Sequence, residues 1–339
     1  MSHRRGSPQN RRSSAFIVGP QFSAPTDPKV DPLAIILGPT GSGKSALALE
    51  IAQRLGGEIV NCDSLQLYRG FDIGTAKSSP EERRRVPHHL FDILDPAQTF
   101  GAGDYAAVAR PVLREITSRG RIPVVVGGTG FYLRALIEGL FAGPARNDEL
   151  REQLRRREQR RTGFLHRALT RFDPAAAGRI HANDENKLTR ALEVCLMARR
   201  PISELFAEGR DLLTGYRTIK VVLDPPRAAL QYKLNRRCYR MLEEGLIQEI
   251  SLLLLSGLSP KSKPFESIGY KEVLAYLTGE LPLPFALELM QRNTRRYAKR
   301  QLTWFRREPD THWVSGFGTQ PDVMNSVLEM LVKFLQNYE

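Results

Sequence analysis

Apolar positions fall into two rhythms along this chain, and their alternation sets the expected architecture. Leu33 to Leu37 (LAIIL) is a short aliphatic run between proline and glycine, the pattern of a strand buried on both faces of a parallel sheet. Ser45 to Leu55 changes to helical spacing and stops at Gly56-Gly57. Glu58 to Cys62 reads as a second strand, Tyr105 to Arg119 as a helix, and Ile122 to Val126 (IPVVV) as a further buried strand. Strands alternating with helices predict an open parallel α/β sheet.

After Gly143-Pro144 the texture changes. Residues 146–210 hold 15 Lys or Arg and 10 Asp or Glu in helix-like patterns, with almost no strand-like run. Ile219 to Leu223 (IKVVL) returns to a strand, closed by Pro225-Pro226. A helical block between strands is what an all-helical insertion into an α/β core looks like. Long helices are expected from Arg227 to Leu255 and from Pro284 to Arg307. The expected division is a basic tail over 1–32, core over 33–142, insertion over 143–213, core with helices over 214–318, and a last helix over 319–339.

Composition narrows the class. The 339 residues are 41% hydrophobic and 26% charged, ordinary for a globular chain long enough to bury a core. The aliphatic runs, Leu33 to Leu37 and Leu252 to Leu255 among them, are far short of the roughly 18 residues a membrane span needs, so no membrane partner is expected. Fifty Lys and Arg against 37 Asp and Glu leave a net charge of +13. Such a surplus favours a polyanionic partner, although an Arg-rich proteome produces basic enzymes too. The three cysteines, Cys62, Cys195 and Cys238, form no CxxC pair and no zinc spacing with the six histidines, which fits a reducing cytoplasm. The first 26 residues carry Arg4, Arg5, Arg11 and Arg12, several serines and no acid. That composition suits an organellar transit peptide or a disordered bacterial tail, and the tail is the expectation.

Candidate chemistry begins at Gly38-Pro39-Thr40-Gly41-Ser42-Gly43-Lys44-Ser45, which matches the phosphate-binding pattern GxxxxGK[ST] between a strand and a helix. Glycines let backbone N–H groups turn around a diphosphate, Lys44 adds a point charge, and the Ser45 hydroxyl can ligate Mg²⁺. Enzymes that hydrolyse nucleotides usually end a neighbouring strand with an acid. Here IPVVV ends in Gly127-Gly128-Thr129, and the available acid is Asp63, at the tip of the second strand. Strand tips at the carboxyl edge face the ligand crevice. Asp63 is then a metal ligand as in a nucleotide kinase, a base acting on an acceptor, or a cap. A P-loop kinase and a non-catalytic RNA-binding P-loop protein both remain compatible with these features.

Seven runs together resemble one family, the tRNA dimethylallyltransferases or tRNA isopentenyltransferases. They are GPTGSGKS (38–45), NCDSLQLYRGFDIGTAK (61–77), PHHLFDILDP (87–96), GGTGFYLRAL (127–136), IHANDENKLTRALEV (180–194), SIGYKE (267–272) and AKRQLTWFR (298–306), in order over most of residues 33–310. The resemblance implies a P-loop NTPase-like parallel sheet core with an all-helical insertion domain that grips the anticodon stem-loop of tRNA. It implies transfer of the prenyl group of dimethylallyl diphosphate to N6 of the adenosine 3′ of the anticodon, with Mg²⁺ and release of pyrophosphate. A monomer is expected.

Roles follow by position. Asp63 matches the family's general base, Thr129 a residue touching substrate and diphosphate, and Arg237, in a helix start over Lys233 to Leu242, an arginine clamping the leaving diphosphate. The segments that match tRNA contacts are Asp63, Ser64, Leu65 and Gln66; Asn186, Lys187, Leu188, Thr189 and Arg190; and Glu266, Ser267, Ile268, Gly269, Tyr270 and Lys271. Thr129 and Arg151 match two more. Gln291 to Arg307 holds seven Lys or Arg and no acid, interleaved with Tyr297, Trp304 and Phe305. Its aromatics are expected mostly in the core and its cations mostly toward RNA. Two departures stand out. The stretch Gln98 to Tyr105 carries extra glycines, expected to loosen that loop. No cysteine lies beyond Cys238, so the zinc finger of some eukaryotic members is lacking and a bacterial or organellar form is expected.

Overall fold

The computed structural model describes residues 30–336. Its centre is a six-stranded sheet, all parallel, made of β1 (Asp31–Leu37), β2 (Gly57–Asn61), β3 (His88–His89), β4 (Ile122–Gly127), β5 (Tyr216–Asp224) and β6 (Thr311–Ser315). The spatial order is β3-β2-β4-β1-β5-β6. Strand β1 lies centrally, with Ile35 opposite Val125 of β4 and Lys220 of β5.

Alternate residues of these strands feed two cores, because successive side chains in a strand point to opposite faces. On one face Ala34, Ile36, Val124, Val126, Val221 and Leu223 meet α1 (Lys44–Leu55) and the C-terminal helix Pro321–Gln336. On the other, Leu33, Ile35, Leu37, Val60, Val125 and Val222 form a larger core. After α2 (Pro80–Arg85), a surface turn with a Ser79 capping box, the larger core is covered by α3 (Ala102–Ser118) and α4 (Gly130–Ile137).

A separate cluster serves five helices, α5 (Asp148–Arg160), α6 (Phe164–Phe172), α7 (Pro174–Ala177), α8 (Glu185–Ala198) and α9 (Ile202–Ala207). Leu154, Leu165, Leu169, Leu188, Leu192 and Val194 pack there among themselves, apart from both sheet cores. The chain then passes through β5 into α10 (Arg227–Glu243), α11 (Leu246–Leu255), α12 (Tyr270–Leu277), α13 (Leu283–Phe305) and α14 (Pro321–Gln336).

Several boundaries differ from the sequence expectation. The helix expected over Arg227 to Leu255 is two helices, because Gly245 sits at φ 104° between them, a conformation that ends the first and starts the second. Arg237 is therefore well inside α10, not at a helix start. Strand β1 starts at Asp31, ahead of Leu33, since Asp31 and Pro32 still pair with Tyr216 and Arg217. Strands β3 and β6 carried no readable signal, β3 being two residues long and β6 an edge strand with Trp313 exposed. The glycine-rich stretch before Tyr105 is ordered into the start of α3, with the Gly101 N–H donating to Asp104 Oδ2 at 2.8 Å. The expected tail falls, up to residue 29, outside the described residues.

Candidate active site

The phosphate loop leaves the end of β1 and returns into α1. Gly41 and Gly43 lie at φ 78° and 86°, a left-handed conformation that lets the loop curl tightly before Lys44 opens the helix. The loop is backed by the turn after β6, where the Gly318 N–H donates to the Ser42 carbonyl at 2.9 Å. Burial of the Lys44 ammonium pulls its pKa down to about 8, although the Asp63 charge opposes this; Arg237 pushes it further down. Ser45 is exposed at the first turn of α1.

Asp63 stands two residues past Asn61, where β2 ends. Asn61, fully buried, fixes this tip: its Oδ1 accepts from the Asp63 N–H at 2.9 Å and its Nδ2 donates to the Leu90 carbonyl at 2.9 Å. Asp63 Oδ1 accepts from the Leu65 N–H at 3.0 Å. The side chain thus caps its own turn with one oxygen, while no hydrogen bond among the described residues engages Oδ2. Thr129 caps α4 at the tip of β4, and its hydroxyl accepts from the Ser64 N–H at 3.1 Å. Arg237 donates to the Thr40 hydroxyl at 3.2 Å. Burial lowers the guanidinium's pKa, with the neighbouring Cys238 and Asp63 opposing; arginine keeps its charge regardless. Burial also pushes the Cys62 thiol up to about 12 and raises Cys238, so neither offers a thiolate nucleophile.

Two hollows meet here. The larger, about 640 Å³, is walled by apolar and aromatic side chains including Tyr68, Phe100, Tyr132, Met241, Met290 and Tyr297. A smaller one of about 60 Å³ holds Lys44 and Ser45. Thr40, Asp63, Thr75 and Arg237 line both. The loop carrying Thr75 is pinned from α11 and α12: Glu249 Oε2 accepts the Ile73 N–H at 2.8 Å and Oε1 accepts the Tyr270 hydroxyl at 2.5 Å. Lys77, which follows in the same loop, is 2% exposed and bonded to Asp72 and Asp92. It braces the loop and offers nothing to a phosphate.

The residues matched to tRNA contacts divide. Ser64, Leu65, Thr129, Glu266, Ser267, Ile268 and Lys271 line the large cavity. Gln66 lies beside the small hollow, its amide donating to the Thr75 and Ala76 carbonyls. Gly269 and Tyr270 are buried, the tyrosine wholly so, and act behind the wall. In the insertion, Asn186 and Lys187 are exposed, whereas Leu188 and Thr189 are buried in the helical core, so their side chains offer no surface contact. Arg151 and Arg190 come together on one buried carboxylate, Glu193, at 2.8 and 2.6 Å. Burial works against this charge, but the two arginines and the Asn147 N–H hold its pKa at about 2.

On α13, Phe305 is buried in the core, while Tyr297 faces the large cavity and Trp304 a separate basic hollow. Arg292, Lys299 and Arg300 are exposed, and Arg295 is tied to Asn235 at 2.5 Å. Met241 and Met290 carry no signal in the sequence, being scattered apolar residues, and Tyr68 lies in the 61–77 run with nothing to mark it as cavity lining; the fold joins the three.

The profile of the IPP transferase family matches residues 66–308, and that of an isopentenyl transferase family matches residues 32–88. The tRNA dimethylallyltransferase of Solibacter usitatus is 56% identical over 304 residues, covering 90% of this chain and 99% of that protein. The one from Koribacter versatilis is 52% identical, with 89% and 98% covered. Among solved structures, the tRNA isopentenylpyrophosphate transferase of Bacillus halodurans superposes with a TM-score of 0.68 at 37% identity, over 91% of this chain and 98% of that one. A eukaryotic dimethylallyltransferase captured acting on tRNA gives 0.76 at 29% identity, over 91% and 80%.

Proposed function

The chain belongs to the tRNA dimethylallyltransferase family, and from that premise we propose that it transfers a dimethylallyl group from dimethylallyl diphosphate to N6 of the adenosine 3′ of a tRNA anticodon. The observation that carries this reading is the junction of the two hollows at Asp63, Thr40 and Arg237. The small polar hollow beside Lys44 and Ser45 suits the diphosphate. The large aromatic cavity suits an acceptor base swung out of its stack together with the prenyl tail. Only a group at the junction can touch the reacting atoms of both.

The chemistry then follows. The N6 lone pair forms a bond to C1 of the prenyl group as the C1–O bond breaks, and the electron pair leaves on pyrophosphate. The exocyclic amine is a poor nucleophile, so Asp63 takes its proton as the new bond forms. Lys44 and Arg237 meet the charge that builds on the departing oxygens. Mg²⁺ would be held by the Ser45 hydroxyl and the diphosphate itself, and would neutralise part of that charge. Among the described residues no group of three or more His, Cys, Asp or Glu is arranged for a metal. A hard cation that keeps several waters and takes its other oxygens from phosphate needs no such group.

The test is a transfer assay with purified protein, Mg²⁺, prenyl-labelled dimethylallyl diphosphate and unmodified tRNA. Label is expected on the adenosine 3′ of the anticodon. Asp63→Ala is expected to abolish transfer and leave tRNA affinity within about threefold, since a base acts on the transition state more than on binding. Equal loss of binding and turnover would give Asp63 a structural role. ATP turnover without label would favour a kinase.

A further inference from the structure

Helix α13 crosses behind the site with Tyr297, Gln301 and Trp304 spaced four and three residues apart, and therefore along one side. They meet successive residues of the turn between β4 and α4. Tyr297 lines the large cavity together with Thr129, Gln301 Nε2 donates to the Gly128 carbonyl at 2.9 Å, and the Trp304 indole lies against Gly130. A Cβ at Gly128 would come within 2.1 Å of Gln301 Nε2, so glycine is what lets the amide approach.

Gln301 alone of the three reaches a second part of the site. It is 5% exposed, and its Oε1 accepts the backbone N–H of Thr40 in the phosphate loop at 2.8 Å. The Thr40 hydroxyl in turn accepts from Arg237. A continuous chain of hydrogen bonds therefore runs from Gly128, beside Thr129, through Gln301 and Thr40 to Arg237. These segments are far apart in sequence, and nothing else in the chain joins the phosphate loop to the β4 tip through one side chain among the described residues.

Resting on the reading that the phosphate loop takes the diphosphate, we infer that Gln301 is a positioning residue for the transfer. Its amide sets the spacing between the loop and the strand tip that carries Thr129, and through Thr40 it aims Arg237 at the leaving group. The requirement is specific because one partner is an N–H and the other a carbonyl. A neutral amide serves both. A carboxylate serves the Thr40 N–H but repels the Gly128 carbonyl, which it cannot donate to. A protonated carboxyl serves both again.

That asymmetry supplies the test. Binding of inorganic pyrophosphate, without tRNA, is measured for the wild type, Gln301→Glu and Gln301→Met between about pH 5.5 and about pH 8.5, beside thermal melts and tRNA affinity. Near pH 8 both variants are expected to bind pyrophosphate about tenfold more weakly than the wild type, as loss of one or two buried hydrogen bonds implies. The Gln301→Glu deficit is expected to close toward acid pH as its carboxyl protonates, and the Gln301→Met deficit to stay constant. Taking the ratio to wild type at each pH removes the titration of pyrophosphate and Lys44. tRNA affinity is expected to be unchanged in both. Variants that bind pyrophosphate as the wild type does, or a Gln301→Glu deficit that ignores pH, would overturn the assignment. Failure of the wild type itself to bind pyrophosphate would instead remove the diphosphate reading beneath it.

Discussion

Lys44 shows how a single residue can be tuned by its surroundings. Enclosed among the phosphate loop, Asp63 and Arg237, its ammonium titrates at about 8, well below the ordinary lysine range. The charge that should attract the diphosphate is present below that pH and disappears as pH rises through it. In the free enzyme, kcat/KM for dimethylallyl diphosphate is therefore expected to fall about tenfold per pH unit above about pH 8, while kcat, set in the complex where the diphosphate raises the lysine pKa, falls later. Lys44→Arg should move the break beyond the working range. A profile flat to about pH 9.5 would show that this charge plays no part in capture. The sequence singles out Asp63 and Lys44, because both sit in short motifs with a fixed backbone context. It could not show that Lys77 is a brace for its loop, since a lysine in a conspicuous motif reads the same whether it faces a phosphate or two carboxylates of its own surroundings.

Among the elements, α13 has the most divided labour. Its buried face holds Phe305 and Gln301, its cavity face Tyr297 with Arg300 over the tyrosine ring at the cavity rim, and its outer face Arg292 and Lys299. Arg295 belongs with neither set, being bonded across to Asn235 on α10. Replacing Lys299 and Arg300 by alanine is expected to lower the slope of log affinity against log salt for tRNA by about 1 to 2, each lost phosphate contact contributing roughly 0.7 to 0.9. Arg295→Ala should leave the slope alone and cost about 1 kcal/mol of stability. An unchanged slope in the double variant would mean that these two cations do not meet RNA. Helical periodicity made the apolar side of α13 legible in advance. Periodicity says nothing of a buried amide that crosses to another strand, because Gln301 is polar and counts toward the outer face.

At the scale of the whole molecule, the helical block carries its own core and its own electrostatic keystone. Glu193 is fully buried and pairs with Arg151 and Arg190, the first from α5 and the second from its own helix. Its pKa is about 2 when folded, against an ordinary carboxylate value of 4.5 when unfolded. The stabilisation is complete above about pH 4.5 and is lost as pH falls toward about 2. Glu193→Gln is expected to destabilise the block by on the order of 3 kcal/mol at neutral pH and to flatten its acid-unfolding profile, since holding the carboxyl that far below its ordinary value corresponds to about that much energy. Helical signal followed against pH in both proteins checks this. A wild-type block that keeps its helical signal unchanged down to about pH 2 would remove the keystone role. The same arginines were the ones matched to tRNA, so neutralising Glu193 should also weaken tRNA binding by freeing them from a fixed geometry.

The strand-helix alternation, the phosphate loop and the insertion were determined by the sequence alone, because each rests on neighbours within a few residues: apolar spacing, glycine placement and a change of texture at Gly143-Pro144. The break at Gly245 was also local, yet it went unread, since a glycine inside a helical pattern is tolerated as often as it breaks one. The site's interior was decided only by the tertiary structure. Thr40 meets Gln301 across 261 positions, and Glu193 meets Arg151 across 42. Contacts of that range arise when sheet order and helix packing bring distant backbone together, and no period along the chain encodes them.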